Sequence, residues 1–266
     1  MDRAVVTGAV IIAIVAAVRS TWSPCGWSML STVTPLSERA RRRRYGATAC
    51  WFVIGATAGG LGLGSIGAVL AQLPRALGLS VPASVAAATL VLAAAAAIDL
   101  GVLGPPLPHH RRQVNEDWLD HYRGWVYGVG FGVQIGFGLA TYIMSASVYA
   151  TILLGALTGR SLSALGIGAL FGFVRGLMIL LGAASTTPER LVVFHRRFER
   201  ATEPVRVGVV TIELSLGLAG ASLLGWVWGA VFLAFVAVAA AAPGRRRPAV
   251  RQRPDLRAPA DGRRST

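Results

Sequence analysis

Three groups of residues in this 266-residue chain are of types able to do chemistry. The first is Ser23-Pro24-Cys25-Gly26, a thiol beside a proline inside a long apolar run; Cys50 is the only other cysteine. Moving electrons as thiols needs two sulfurs within reach, because a thiolate attacks a disulfide through a mixed intermediate. On two adjacent helices entering from one membrane face, Cys25 and Cys50 would differ in depth by roughly 7 Å, slightly more than a disulfide allows, unless a break at Pro24 closes the gap. A Cys25–Cys50 pair is therefore one reading. The other makes Cys50, beside Trp51 and Phe52, a small packed hydrophobe, and Cys25 a lone thiol. The second group is Arg19, Arg175 and Glu213, all inside apolar runs. An arginine at the centre of a membrane helix costs at least about 2.5 to 3.5 kcal/mol, so Arg175 needs compensation. Glu213, at similar depth on the next helix, predicts an Arg175–Glu213 ion pair, serving either structure or a substrate pathway. Asp99, near the inner end of its apolar run, is expected to reach interfacial water. The third group, His109-His110-Arg111-Arg112, comes after Pro105, Pro106 and Pro108 and lacks ligand-spaced partners, so it reads as a solvated loop, as does His195. No metal site and no cofactor are expected.

The elements that must position these residues are helices in lipid. The chain is 54% hydrophobic and 14% charged, against about 45 to 50% apolar and about 25% charged in an ordinary soluble domain. Apolar segments at about 4–34, 46–73, 84–103, 125–157, 162–184 and 207–242 predict an all-α polytopic membrane protein with six core spans. The lipid bilayer is its first partner. The net charge of +14, carried entirely by arginine among the basic residues, lies in the loops and tail, where it suits anionic lipid head groups far better than nucleic acid. Arginines concentrate in the loops 35–45, 104–124 and 185–206, which puts those loops in the cytoplasm and the N-terminus outside an inner (plasma) membrane. Arg19 and bulky Trp22 stand where a signal-peptide cleavage site would need small residues, so the first apolar run is read as a span.

The segment 207–242 would run about 54 Å as one helix, against a hydrocarbon core of roughly 30 Å. A break near Gly220 to Gly225 would make a short seventh span of 226–242, place Trp226 and Trp228 at the outer interface, and return the tail to the cytoplasm. That tail, 243–266, is rich in Arg and Pro and too poor in apolar residues to fold, so it is expected to be disordered. Segment 114–123 has apolar residues at helical spacing and reads as an amphipathic helix on the inner surface.

The chain also carries an internal correspondence. Gly55-Ala56-x-x-Gly59 recurs as Gly168-Ala169-x-x-Gly172, and the segments before each copy, 4–34 and 125–157, are both overlong and interrupted. Three spans per unit make the two units, about 4–103 and 125–225, inverted repeats. An interruption within the bilayer is tolerated where the backbone lines protein rather than lipid. Proline at position 24 removes a donor and clashes with the preceding turn, and Gly26 loosens the turn after it. Gly128, Gly130, Gly132, Gly136 and Gly138 permit close helix packing; with no strand before them they are not a nucleotide-binding loop.

Ser23-Pro24-Cys25 inside the first span, the basic loop after it, the glycine-rich second span and the inverted three-plus-three arrangement resemble the CcdA/DsbD transmembrane family, within the wider LysE-type transporter superfamily. The resemblance covers about residues 4–225 and is sharp only at Ser23-Pro24-Cys25. It implies a protein that passes reducing equivalents across the membrane, from thioredoxin-like proteins to extracytoplasmic thiol proteins such as those of cytochrome c biogenesis. Cys25 would be the reacting thiol, Pro24 the residue shaping the break, and Cys50 its partner. Where the family has proline and cysteine in the fourth span, this chain has Tyr142 and Ile143, and Ser28 replaces the proline that usually comes three residues after the first cysteine. The alternative on the same scaffold is a transporter for a small solute or ion, with Arg175, Glu213 and Arg19 in its path.

Overall fold

A computed structural model of the chain describes residues 3–102 and 122–241, all of whose regular elements are helices. Five helices are long and apolar enough to cross a membrane, and large hydrophobic side chains such as Ile54, Val69, Leu90 and Leu162 stand exposed around the bundle, which makes that surface lipid-facing. The protein is thus an all-α, multi-pass membrane protein. The predicted amphipathic segment 114–123 (save its last two residues), His109-His110 and the tail 243–266 lie outside the described residues.

The first apolar run is interrupted where the sequence places Pro24. Helix α1 (Arg3–Ser20) ends, residues 21–23 turn, and α2 (Pro24–Thr32) begins. Ser23 caps α2, its Oγ accepting from the Gly26 amide at 3.3 Å, and Pro24 occupies the first turn, where its missing N–H is no loss. Gly26 is required because a Cβ there would strike the backbone carbonyl of Thr21. The arginine-rich connection after α2 is ordered: α3 (Pro35–Ala40) starts with a reciprocal Thr34/Ser37 capping box, and Glu38, fully buried, accepts from Thr48 Oγ1 and lies 3.8 Å from the Arg41 guanidinium.

Helix α4 (Tyr45–Leu70) continues through the short α5 (Gln72–Ala76) and returns as α6 (Val81–Asp99), a little earlier in the chain than the predicted 84–103. The fourth run is also split, into α7 (Gly124–Phe137) and α8 (Ser147–Leu157), with residues 138–146 between them. The fifth is α9 (Ser161–Leu177), which tightens into a 3-10 turn over Met178–Ala184. Next comes α10 (Pro188–Arg200), then α11 (Thr202–Leu224) and α12 (Trp226–Ala241). The break between the last two falls at Gly225, whose φ of +130° is a glycine conformation. Phe232 of α12 packs on Gly217 and Ala221 of α11, so α12 folds back antiparallel.

The expectation of a solvated loop over 185–206 is corrected by α10. Thr187 caps it, Pro188 opens it, and its apolar positions recur at helical spacing. Phe198 is buried and stacks on Trp22 with centroids 4.3 Å apart. His195 is likewise no loop residue: it lies against Trp27 and exchanges a 3.1 Å hydrogen bond with Ser31 Oγ.

At the centre of the bundle, α4 is held on two sides by glycine. Towards parallel α7, Gly55 and Gly59 face the backbone at Val129, Val133 and Gly136, while Gly132 and Gly136 face Phe52 and Ala56. Towards antiparallel α9, Gly60 and Gly64 interlock with Gly168 and Gly172. Without water to drive helices together in lipid, such close backbone approach supplies the packing energy. The two Gly-Ala-x-x-Gly copies are therefore packing seams. Gly172→Val should lose the folded, monodisperse state, with a destabilisation of about 1 to 3 kcal/mol or more because the obstruction is backbone; Gly166→Ala on the same helix, where nothing lies within 4 Å, should leave thermal stability in detergent unchanged. The antiparallel α11–α12 pair further predicts that reporters fused after Thr266 and within residues 41–44 respond from the same side of the membrane.

Candidate functional site: a buried arginine where two interrupted helices meet

An interrupted helix leaves backbone groups without partners, and inside a bundle they must find them in protein. At the end of α1, Thr21 Oγ1 donates to Ala17 O (3.3 Å), and the amides of Thr21, Trp22 and Ser23 donate to Val18, Arg19 and Ser20 O at 3.1 Å each. The Ser20 carbonyl receives a further donor, Nη2 of Arg175, at 3.5 Å. The same Nη2 donates to Thr141 Oγ1 at 3.2 Å. Thr141 lies in the interruption of the fourth run and itself donates to Gly138 O at 3.0 Å. Gly138, at φ +71°, ends α7 in a conformation that favours glycine, and a Cβ there would press on Phe171 and approach Arg175 Nη1. Arg175 is 2% exposed, with its guanidinium carbon 5.8 Å from the Phe171 ring centroid. A cation is thus set at the C-terminal, partially negative ends of α1 and α7 at once, the placement that helix dipoles favour. The hydrogen bonds described for Arg175 both engage Nη2.

The predicted Arg175–Glu213 ion pair does not form. Arg175 is satisfied by the two interruptions, while Glu213, fully buried on α11, has no hydrogen-bond partner for either carboxylate oxygen among the described residues. Depth along two helices fixes height but not azimuth, and the two side chains point to different neighbours. Asp99 also departs from expectation: rather than reaching interfacial water, its carboxylate accepts from Ser145 Oγ and from the Ala146 amide (2.8 Å), capping the restart of the fourth run at α8. Arg19 is buried at the end of α1.

Cys25 is 2% exposed in the first turn of α2. Cys50 is exposed on the outside of α4, and both thiols are free. The expected Cys25–Cys50 pairing is therefore absent: the break at Pro24 turns Cys25 into the core with Trp22, Met29 and Phe52, while α4 presents Cys50 outward. Ile143, at the fourth-span position where the resembled family has cysteine, packs in a separate apolar cluster with Ala13, Ala16 and Ala17 of α1. Thr141 and Asp99 were not expected to take part; a hydroxyl at the second interruption was the available signal for Thr141. Two cavities lie away from this junction. The larger, about 240 Å³, opens at the other end of the bundle between Val5, Arg75, Ser84 and Thr158.

Fold and site together define a polytopic helical membrane protein with two interrupted spans joined at a buried guanidinium. In sequence the chain is similar to the methylamine utilization protein MauF. It is 34% identical to that of Paracoccus denitrificans over 169 residues, covering 62% of this chain and 59% of that protein, and 30% identical to that of Paracoccus versutus over 175 residues, covering 63% and 62%. Against MauF of Methylophilus methylotrophus it is 27% identical over 202 residues, covering 74% and 69%. The chain thus spans less than two thirds of the length of the two Paracoccus relatives. No family model matches the chain, and no solved structure does. The resemblance to the CcdA/DsbD family rests on the Ser23-Pro24-Cys25 segment and the helix pattern alone.

The separation of the two sulfurs has a direct test. Mild copper-phenanthroline oxidation of the purified protein should give no intramolecular disulfide, and both cysteines should remain alkylatable after denaturation, read by mass spectrometry; a Cys25–Cys50 cross-link in good yield would contradict the outward position of Cys50.

Proposed function

We propose that the protein works as a membrane component of methylamine utilization, the process for which its relatives are named, and that it carries a small solute or ion between the two membrane faces at the junction built around Arg175. The observation that carries this reading is the convergence of two interrupted helices on one buried guanidinium. Interrupted helices meeting inside a bundle are the usual construction of a transport site, because unwound backbone can exchange its partners for those of a bound solute. A guanidinium there suits a solute presenting acceptor oxygens or a negative charge.

The inverted-repeat division into units of about 4–103 and 125–225, with 226–242 added, fits this reading. First packs on fourth (α1 on α8), second on fifth (α4 on α9) and third on sixth (α6 on α11), which is what a two-fold axis in the membrane plane would produce. The basic face, with Arg39, Arg41 to Arg44 and the arginines of α10, would lie in the cytoplasm of an inner membrane against anionic lipids, with the N-terminus outside.

A second reading keeps the thiol chemistry, and the burial of Cys25 in the first turn of α2, directly after the first interruption, favours it. Reducing equivalents would then pass through Cys25 as a single thiol, with the second sulfur supplied by a thioredoxin-like partner, since Cys50 faces away and position 143 is isoleucine. Pro24 would shape the break in either case.

Expression of this chain in a Paracoccus denitrificans strain lacking its own MauF should restore growth on methylamine; failure of a well-expressed, membrane-inserted protein to do so would overturn the assignment to that process. In the complemented strain Arg175→Leu should reduce the growth rate at least tenfold with protein levels maintained, whereas Cys25→Ser should leave it within about twofold. The opposite pattern would favour the thiol reading.

A further inference from the structure

The larger cavity, about 240 Å³, lies where spans end. It is bounded by the start of α1 at Val5, the turn between α5 and α6 at Leu79, the first turn of α6 at Val81 and Ser84, and the turn after α8 at Thr158. The ends of membrane-spanning helices sit at the level of the lipid head groups, and this end is the one opposite α3 and α10 with their arginines. Arg75, on α5, lines the cavity and is exposed, with neither a hydrogen bond nor an ion pair among the described residues. Ser84, partly buried, lines it as well, and its hydroxyl has no partner among the described residues. No acidic side chain belongs to the lining as described. A guanidinium and a hydroxyl with nothing to neutralise the charge call for a ligand that is anionic and rich in acceptor oxygens, as a phosphate ester is. The N-terminal end of α6, capped by Ser80, adds potential of the same sign.

The rest of the cavity is apolar and opens over an apolar rim. Val5 and Leu157 form part of the wall, Leu79 and Val81 are lining residues that are also exposed, and α5 buries none of its side chains, so that Leu73 and, just after it, Leu77 stand outward beside Arg75. Exposed leucines next to a cation at a helix end suit the boundary between head groups and acyl chains. Size points the same way. Pockets that enclose a whole drug-sized ligand run to about 300 to 1,000 Å³, whereas this one accommodates a head group whose hydrocarbon leaves over the rim.

We propose that this cavity binds the phosphodiester head group of an anionic phospholipid, with the phosphate on Arg75, the Ser84 hydroxyl as a second donor, and the acyl chains running out over Leu77, Leu79 and Val81. A zwitterionic head is disfavoured, because its ammonium group would meet no carboxylate in the lining. Since the walls come from α1 and α6 on one side and from the end of α8 on the other, a lipid seated here bridges the first, third and fourth spans. The site is distinct from the arginine-rich face and does not depend on what the interrupted helices carry.

The test is amide hydrogen exchange, read by mass spectrometry, on the full chain in nanodiscs of phosphatidylcholine alone and of phosphatidylcholine with phosphatidylglycerol, at one ionic strength. Phosphatidylglycerol should slow exchange over residues 75–84 by about fivefold, the factor expected when one arginine meets an anionic head group. In Arg75→Gln that slowing should vanish, and in Arg75→Lys, which keeps the charge, most of it should return. Should Arg75→Gln fail to fold, Ser84→Ala reads the same contact and should weaken the effect. A further arm adds inorganic phosphate or glycerol 1-phosphate at millimolar concentration to the phosphatidylcholine nanodiscs and should leave exchange at 75–84 unchanged. Equal exchange at 75–84 in the two lipid compositions, equal slowing in native protein and Arg75→Gln, or slowing by the soluble phosphates as large as that by phosphatidylglycerol, which would make this a free-anion site, would each overturn the proposal.

Discussion

A helix broken inside a bilayer exposes carbonyls and amides where no water can reach them, and each must be matched by protein. This chain breaks two of its spans and answers both with side chains brought from elsewhere in the sequence. Arg175 reaches the Ser20 carbonyl and the Thr141 hydroxyl; Asp99 reaches the Ser145 hydroxyl and the Ala146 amide; Ser23 caps its own half-helix. The signs match the helix dipoles. The cation sits at two C-terminal ends and the carboxylate at an N-terminal start. A cation taken out of water is tolerable here because the negative ends of two half-helices offset its desolvation, which also explains why Arg175 has no need of Glu213.

Holding Arg175 there demands close backbone placement, and the glycine seam provides it. Gly172 and Gly176, on either side of Arg175 along α9, let that helix lie directly on Ala56, Gly60 and the backbone at Val53 of α4. The opposite face of α4 takes α7 equally closely through Gly55, Gly59, Gly132 and Gly136, so the end of α7 at Gly138 is delivered to the same guanidinium. Three helices locked by backbone contact thus carry one interruption and the cation that satisfies it, while α1 brings the other. Beneath them, α10 closes the assembly: the Trp22 indole donates to Phe198 O at 2.9 Å and stacks on its ring, tying the first interruption to an amphipathic helix with an arginine-rich outer face.

How much of this is legible in the sequence depends on whether a signal is one-dimensional. Long apolar runs fix the spans, because lipid admits only helices of a certain length. Pro24 after Ser23 marks the first interruption, and Gly225 marks the last turn within the predicted window. A pattern that runs along the chain is readable; one that depends on azimuth around a helix is not. The pairing of Arg175 with Glu213 and of Cys25 with Cys50 used depth alone, and rotation about the axes sends all four side chains elsewhere. Helix α10 is masked for another reason: its four arginines outweigh its apolar residues in averaged hydropathy, although Leu191, Phe194 and Phe198 keep the helical period, and Thr187-Pro188 is a capping sequence. The glycine pairs were visible as a repeat, but only the packing reveals that they are seams.

The departures from the resembled thiol-relay pattern become coherent once the junction is considered as a whole. Ile143, at a cysteine position of that pattern, fills an apolar cluster against α1, and two residues earlier Thr141 supplies the hydroxyl that Arg175 uses. The second interruption is thereby committed to a guanidinium rather than to a sulfur, while the first retains its proline and a buried Cys25. A relay between two intramolecular thiols requires both interruptions to present sulfur to each other. Here the polar groups of the two interruptions, the Ser20 carbonyl and the Thr141 hydroxyl, are joined by Arg175 instead. The scaffold of paired, interrupted helices is the same in both cases; the residues placed at the interruptions decide what chemistry can pass between them.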